Sequence, residues 1–172
     1  EKNIWIGTNG YGLCKFMGDI FAHYSEKDGL PSNAIRALDQ DSLGNFWLGT
    51  GGGIVKLQVK GGIPSSENYT VKNGLKGNTI TSISVGKVDH NRNIWAVVAD
   101  EGIAKFNPSA SLRTGPKSFQ NFSKAEGLLD NSVFSILVDK NGIVWIGTQE
   151  GISRFDGVKF LDITMEKMKI NG

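Results

Sequence analysis

The chain has 172 residues, enough for a sizeable core, and its 19 Lys and Arg against 17 Asp and Glu leave a net charge of only +2. That balance, with no block of one sign, excludes the strongly basic face a nucleic-acid partner needs, and no apolar run reaches the roughly 18–20 residues of a membrane-spanning helix. The single cysteine, Cys14, excludes an internal disulfide and a Cys-rich metal site.

The chain opens inside a pattern. "NIWIGTNGYG" (3–12) reads as a strand carrying Trp5 and then a Gly turn, followed by a strand "LCKF" (13–16) and an outer strand "IFAHYS" (20–25). "GLPSN" (29–33) then turns into a short strand around Ile35 and Leu38. "DSLG" (41–44) is a type I turn, with Asp accepting backbone bonds at its first position and Gly closing it. "NFWLGT" (45–50) and "IVKL" (54–57) flank a glycine hairpin, and "NYTVK" (68–72) is the expected outer strand. The "GTGGGI" stretch (49–54) joins two strands rather than opening a helix, so it reads as a hairpin and not as a phosphate loop.

The third copy is irregular. After "GLKGN" (74–78) it has Arg92 where Gly44 and Gly142 stand, "WAVV" in place of "WIGT", and three more residues before its Trp. It continues through "IAKF" (103–106) to "SFQNFS" (118–123). The fourth copy runs from "GLLDN" (127–131) through "VWIGT" and "ISRF" to "KFLDIT" (159–164).

Trp5, Trp47, Trp95 and Trp145 are separated by 42, 48 and 50 residues, the period of propeller blades. Each period holds short antiparallel strands, and the Trp strands (Ile4-Trp5-Ile6, Phe46-Trp47-Leu48, Val144-Trp145-Ile146) are apolar on both faces, as in a sheet sandwiched between two others. The sequence therefore predicts an all-β chain of four four-stranded antiparallel β-propeller blades at about 1–30, 31–75, 76–128 and 129–172, nearly devoid of helix. The first lacks its innermost strand, and all four Trp should be buried. Because the chain starts at Glu1 and mid-repeat, it is expected to be a piece of something longer.

G-L-x-x-N, a hydrophobic strand, D-x-x-G-x-[IVF]-W-[IL]-G-T, a Gly turn and [IL]-x-[KR]-[FL] closely resemble the two-component regulator propeller repeat. The resemblance covers essentially the whole chain. It implies a non-enzymatic periplasmic sensor segment of a membrane-anchored two-component protein. The expected partners are a small sugar or oligosaccharide and other blades of the parent chain, with no cofactor. Streptogramin-lyase-like propellers carry a similar Trp-rich motif and use His, Glu and a divalent cation, so a metal-dependent enzyme is the alternative; pure scaffold is another.

Recurrent residues read as structural. Asp41, Asp89 and Asp139 belong to the turn before the Trp strand, the Lys/Arg of the third strand to a strand edge or surface, and Cys14 to a packing position shared with Val, Ala and Ser. His23 and His90 lack metal-ligand spacing. A ligand site should break the repeat, which selects Asn9, Tyr11, Asp100, Glu101, Gln149 and Glu150 in loops at the propeller's mouth. These loops are also the ordinary home of solvated polar residues. An open half-ring would expose two apolar blade faces, so the isolated chain is expected to form a homodimer through its first and fourth blades.

Overall fold

The computed structural model describes residues 3–60, 63–86, 93–108 and 119–164. Asp89, His90, Arg92 and the C-terminal "MEKMKING" lie outside the described residues.

Among the described residues, fifteen strands form four antiparallel meanders. The first sheet holds β1 (Ile4–Gly7), β2 (Leu13–Phe16) and β3 (Phe21–Tyr24). The second holds β4 (Ile35–Gln40), β5 (Phe46–Thr50), β6 (Gly53–Lys60) and β7 (Ile63–Tyr69). The third comprises β8 (Ile80–Val85), β9 (Ile94–Val98), β10 (Gly102–Phe106) and β11 (Phe119–Phe122). The fourth comprises β12 (Val133–Val138), β13 (Val144–Thr148), β14 (Gly151–Phe155) and β15 (Phe160–Thr164). These are propeller blades, the first of three strands and the others of four. The inner strands β4, β8 and β12 pack in succession, and β1 touches β4.

Three apolar clusters lie between successive blades. Leu13, Tyr24, Leu48 and Val55 with Trp5 and Phe46 join blades one and two. Trp47, Tyr69, Ile80, Ile83 and Phe106 join two and three. Trp95, Phe122, Val133, Ile136 and Phe155 join three and four. Trp5, Trp47 and Trp95 thus each face the blade that follows. The ring centroids lie 4.5 Å apart for Trp5–Phe46, 6.0 Å for Trp47–Phe106 and 5.6 Å for Trp95–Phe155.

That directionality corrects the expectation of four equally buried Trp. Trp47 and Trp95 are 0% and 3% exposed, whereas Trp5 and Trp145 are only half-buried. Trp145 faces the side of blade four where no described blade packs, and Trp5 lies on what is here an edge strand. The same geometry makes β9 buried throughout, while β13 alternates and β1 is largely exposed.

The repeat's signature residues hold this packing. The Asp41 carboxylate accepts from the Leu43 and Asn45 backbone N–H groups and from the Trp47 indole N–H at 3.0 Å, and Asp139 accepts from Trp145 at the same distance. Lys15, Lys56 and Lys105 are not simply edge or surface residues, because each ammonium lies 5.4–5.8 Å from the ring centre of the cross-strand Trp. The Gly of "W-[IL]-G-T" permits close approach of the next blade: a Cβ on Gly7 or Gly49 would meet the Cγ2 of Ile35 or Ile80 at 2.7 or 2.8 Å.

The outer strand of blade two also differs from expectation. It covers Ile63–Tyr69, and Thr70 ends it by capping a one-turn 3-10 helix, Val71–Asn73. Glu26–Asp28 and Lys124–Glu126 repeat that turn with Ser25 and Ser123 as caps, each closed by a reciprocal capping box and a left-handed Gly (Gly29, Gly74, Gly127).

Candidate functional site

Strands alternate in direction, so the second-to-third hairpins and the links between blades emerge at one end of the molecule. Local chemistry fixes both sets of loops. Thr8, Thr50 and Thr148 close their hairpins by donating to the carbonyls of Gly12, Gly53 and Gly151 at 2.7, 2.8 and 3.0 Å. In each link the Asn of G-L-x-x-N accepts from the first N–H of the 3-10 turn, from Glu26, Val71 and Lys124 respectively, at 2.8–2.9 Å. The Leu of the motif is buried: Leu30, Leu75 and Leu128.

Hairpins and links are also tied to each other. Gly10 and Gly12 donate to the Asn33 carbonyl at 3.1 and 2.8 Å, Gly51 to Ala34 at 3.1 Å, Ala99 to Thr79 at 2.9 Å and Gln149 to Ser132 at 3.0 Å. The hairpin tips therefore stand on a rigid, hydrogen-bonded collar.

All six candidate residues occupy these tips and are exposed. Asn9 and Tyr11 sit on blade one, Tyr11 being 77% exposed and its carbonyl accepting from His23 Nε2. Asp100 and Glu101 sit on blade three, with Asp100 in the left-handed region at φ +63°. Gln149 and Glu150 sit on blade four, where Glu150 lies 4.0 Å from Lys124 of the preceding link, itself 3.2 Å from Asp130. The fold thus places the Asp100–Glu101 and Gln149–Glu150 loops on adjacent blades, whereas blade two offers only Gly51 and Gly52 between its strands. The backbone N–H of Ser132, donating to Asp130, holds that carboxyl below its usual value, so it stays charged around neutrality.

Clefts are found elsewhere. One of about 510 Å³ opens at the outer rim between blades three and four, lined by Gln120, Phe122, Glu126, Gly127, Lys159 and Phe160 among others. It coincides with a break in the repeat. Asn68 and Asn121 each donate to the carbonyl of the capping Gly of the preceding link, Gly29 at 3.0 Å and Gly74 at 2.9 Å. The matching residue of blade four is Asp162, which accepts from Ser153 and has no N–H to offer Gly127. The Asn/Asn/Asp substitution was visible in sequence, but its meaning depended on knowing what the Asn contacts. A second cleft, of about 330 Å³, includes Trp5, Lys15, Gln40 and Phe46 at the open edge of blade one. None of the six tip residues lines either cleft.

Comparison with known proteins follows the same lines. Residues 29–52 and 127–150 match the model of the two component regulator propeller. A stretch of 42 residues, 24% of the chain, is 43% identical to histidine kinase P4 of Formosa agariphila, of which it covers 3%. Over 97% of its length the chain matches the extracellular domain of a putative hybrid two component system from B. thetaiotaomicron, with TM-score 0.75 and 27% identity, covering 22% of that chain. Virginiamycin B lyase from Staphylococcus aureus matches 94% of this chain at TM-score 0.69 and 14% identity, covering 52% of its own length, a likeness of fold alone. The chain spans about a fifth of its solved sensor relative and a few per cent of the curated kinase. The chain folds as β-propeller blades, and two stretches of it, one in the second repeat and one in the fourth, match the two component regulator propeller.

Proposed function

We propose that this chain is a non-enzymatic segment of an extracytoplasmic sensor propeller, part of a membrane-anchored two-component protein, and that it contributes to recognition of a small sugar or oligosaccharide. The observation that carries the reading is the whole-length match to the extracellular domain of a hybrid two component system at 27% identity. The disposition of side chains supports it. The recurrent carboxylates Asp41 and Asp139 are engaged by turn N–H groups and Trp indoles, while the repeat-breaking polar residues Asn9, Tyr11, Asp100, Glu101, Gln149 and Glu150 stand exposed on a hydrogen-bonded collar. Hydroxyl-rich ligands need such polar groups beside an aromatic face, and Tyr11 supplies one. A periplasmic location follows from the same reading.

The test is binding of a panel of neutral oligosaccharides to the purified chain, with Tyr11→Ala and Glu150→Gln as tip variants. Binding lost in these variants with unchanged folding supports the reading. Metal-dependent turnover of a substrate, abolished by a chelator, would favour the lyase alternative instead.

A further inference from the structure

Each inner strand carries one residue that belongs to neither neighbouring blade. The register slips between Ile35 and Ala37 in β4, between Ile80 and Ser82 in β8, and between Val133 and Ser135 in β12. Such a bulge leaves one extra residue, here Arg36, Thr81 and Phe134, outside the alternation that turns side chains to one blade or the other. Its neighbours keep that alternation. Ile35, Ile80 and Val133 pack toward the blade before them, and Ala37 lies on the leading face, the one that meets the following blade. None of the three bulge residues joins an apolar cluster.

The inner strands pack on one another in succession and end their sheets on the axial side, so the bulge residues face the axis. This placement is set within each sheet and holds in any ring that contains these three blades. The row lies just below the collar. Ala34, Thr79 and Ser132, whose carbonyls accept from the hairpin loops, precede it by two residues, about 7 Å along a strand. Position is repeated here and chemistry is not. Arg36 is exposed and has no acidic partner among the described residues. The Thr81 hydroxyl is covered and has no hydrogen-bond partner among them. Phe134 is 69% exposed. A cation, a hydroxyl and an aromatic face thus hold equivalent positions on three consecutive blades. Asp100, Glu101 and Glu150 stand on the tips above, so an anionic group is disfavoured at the tips and favoured at Arg36.

We infer that Arg36, Thr81 and Phe134 form an axial subsite beneath the collar for an acidic sugar. The inference rests on the reading of this chain as part of a sugar sensor and names the charge class of the ligand. The planar fork of the Arg36 guanidinium matches both oxygens of a sugar carboxylate, and the Phe134 ring packs against the C–H face of the pyranose. The orphaned Thr81 hydroxyl, between them in the order of the blades, gains a partner when a ring hydroxyl reaches the row. The neutral, hydroxyl-rich remainder of the ligand extends toward the tips, where the acidic loops accept from it.

Isothermal titration of the 172-residue chain tests this with three probes: a disaccharide ending in one glucuronate, its neutral methyl ester, and benzoate. The acid is expected to bind about 10-fold or more tighter than its ester, the scale of a charge-assisted hydrogen bond. Arg36→Gln should abolish that preference and leave the ester's affinity unchanged, Arg36→Lys should retain part of it, and Phe134→Ala should weaken both sugars alike. All three variants change exposed side chains, and urea midpoints matching wild type show that they are folded. Equal affinity of acid and ester for wild type, or a preference that survives Arg36→Gln, would overturn the inference while leaving the sugar-sensor reading in place. Benzoate bound through Arg36 with neither sugar bound would overturn the sugar reading and the ligand named here, placing a non-sugar carboxylate at the axis. Absence of binding by all three probes would overturn the subsite itself.

Discussion

Asp41 and Asp139 show how one side chain serves several structural needs at once. Burial pushes the Asp41 carboxyl up, but bonds from the Asn45 side chain, the Trp47 indole and the Asn45 and Leu43 backbone more than offset it, and the net shift is below the ordinary value of 3.8. At Asp139 the Trp145 indole is the largest cause of a shift in the same direction. A carboxyl lowered by folding stabilises the protein fully above its unfolded value, and that stabilisation is lost as pH falls through the folded value. Urea midpoints should therefore be flat from neutrality down to about pH 5 and fall below about pH 4, and Asp41→Asn should flatten that acid limb. At neutral pH Asp41→Asn should cost about 1–3 kcal/mol, since its amide would turn a donor toward Asn45 or the Trp47 indole. Trp47→Ala should cost about 3–5 kcal/mol, the range for a fully buried large side chain. Trp145→Ala should cost clearly less in the monomer, being half-buried, and Cys14→Ala less again. Equal losses for Trp47 and Trp145 in urea unfolding would contradict the assigned direction of the blade faces.

At the scale of elements, the link between blades is the most informative unit. S/T-x-x-[D/E/N]-G-L-x-x-N combines a capping box, a left-handed Gly, a buried Leu and an Asn that reaches back seven residues. Ser123→Ala should lower stability by about 1 kcal/mol through loss of the cap, read from the denaturation midpoint. The rim staple gives a prediction of opposite sign. Asp162→Asn restores the amide that Asn68 and Asn121 use, while its carbonyl can still accept from Ser153. A gain of about 0.5–1.5 kcal/mol is expected from the new bond to Gly127. Calorimetry showing no rise in Tm would mean that the rim of blades three and four stands too far apart for the staple to form.

For the whole molecule, what matters is that the core lies between blades and not within one. Among the described residues, blades two and three are covered on both faces and the outer two on one each. Opening should therefore begin at the ends, as in other stacked repeats. Amide exchange should be slowest in β5, β6, β9 and β10, and faster in β1 and β15. Uniform protection from end to end at low micromolar concentration would argue for a fully cooperative unit instead.

The period of the Trp residues, the two-sided apolar strands and the D-x-x-G turns were enough to give the meander, the order of the blades and the missing inner strand of the first. Those features depend on neighbours close along the chain or one period away, and so they are written in local pattern. The caps at Ser25, Thr70 and Ser123 were read as the ends or middle of outer strands, and the outer strand of blade two was placed too late, because Thr70 and Val71 are as suited to a strand as to a cap and turn. The candidate tips were legible as breaks in the repeat, but the rim cleft was not, because Asp162 acquires its meaning only from what Asn68 and Asn121 touch in the folded chain. Tertiary structure alone decided which face of each blade is the leading one. Sequence makes Trp5, Trp47, Trp95 and Trp145 equivalent, and burial separates them, because a Trp is covered only when a blade follows it and its own sheet is complete.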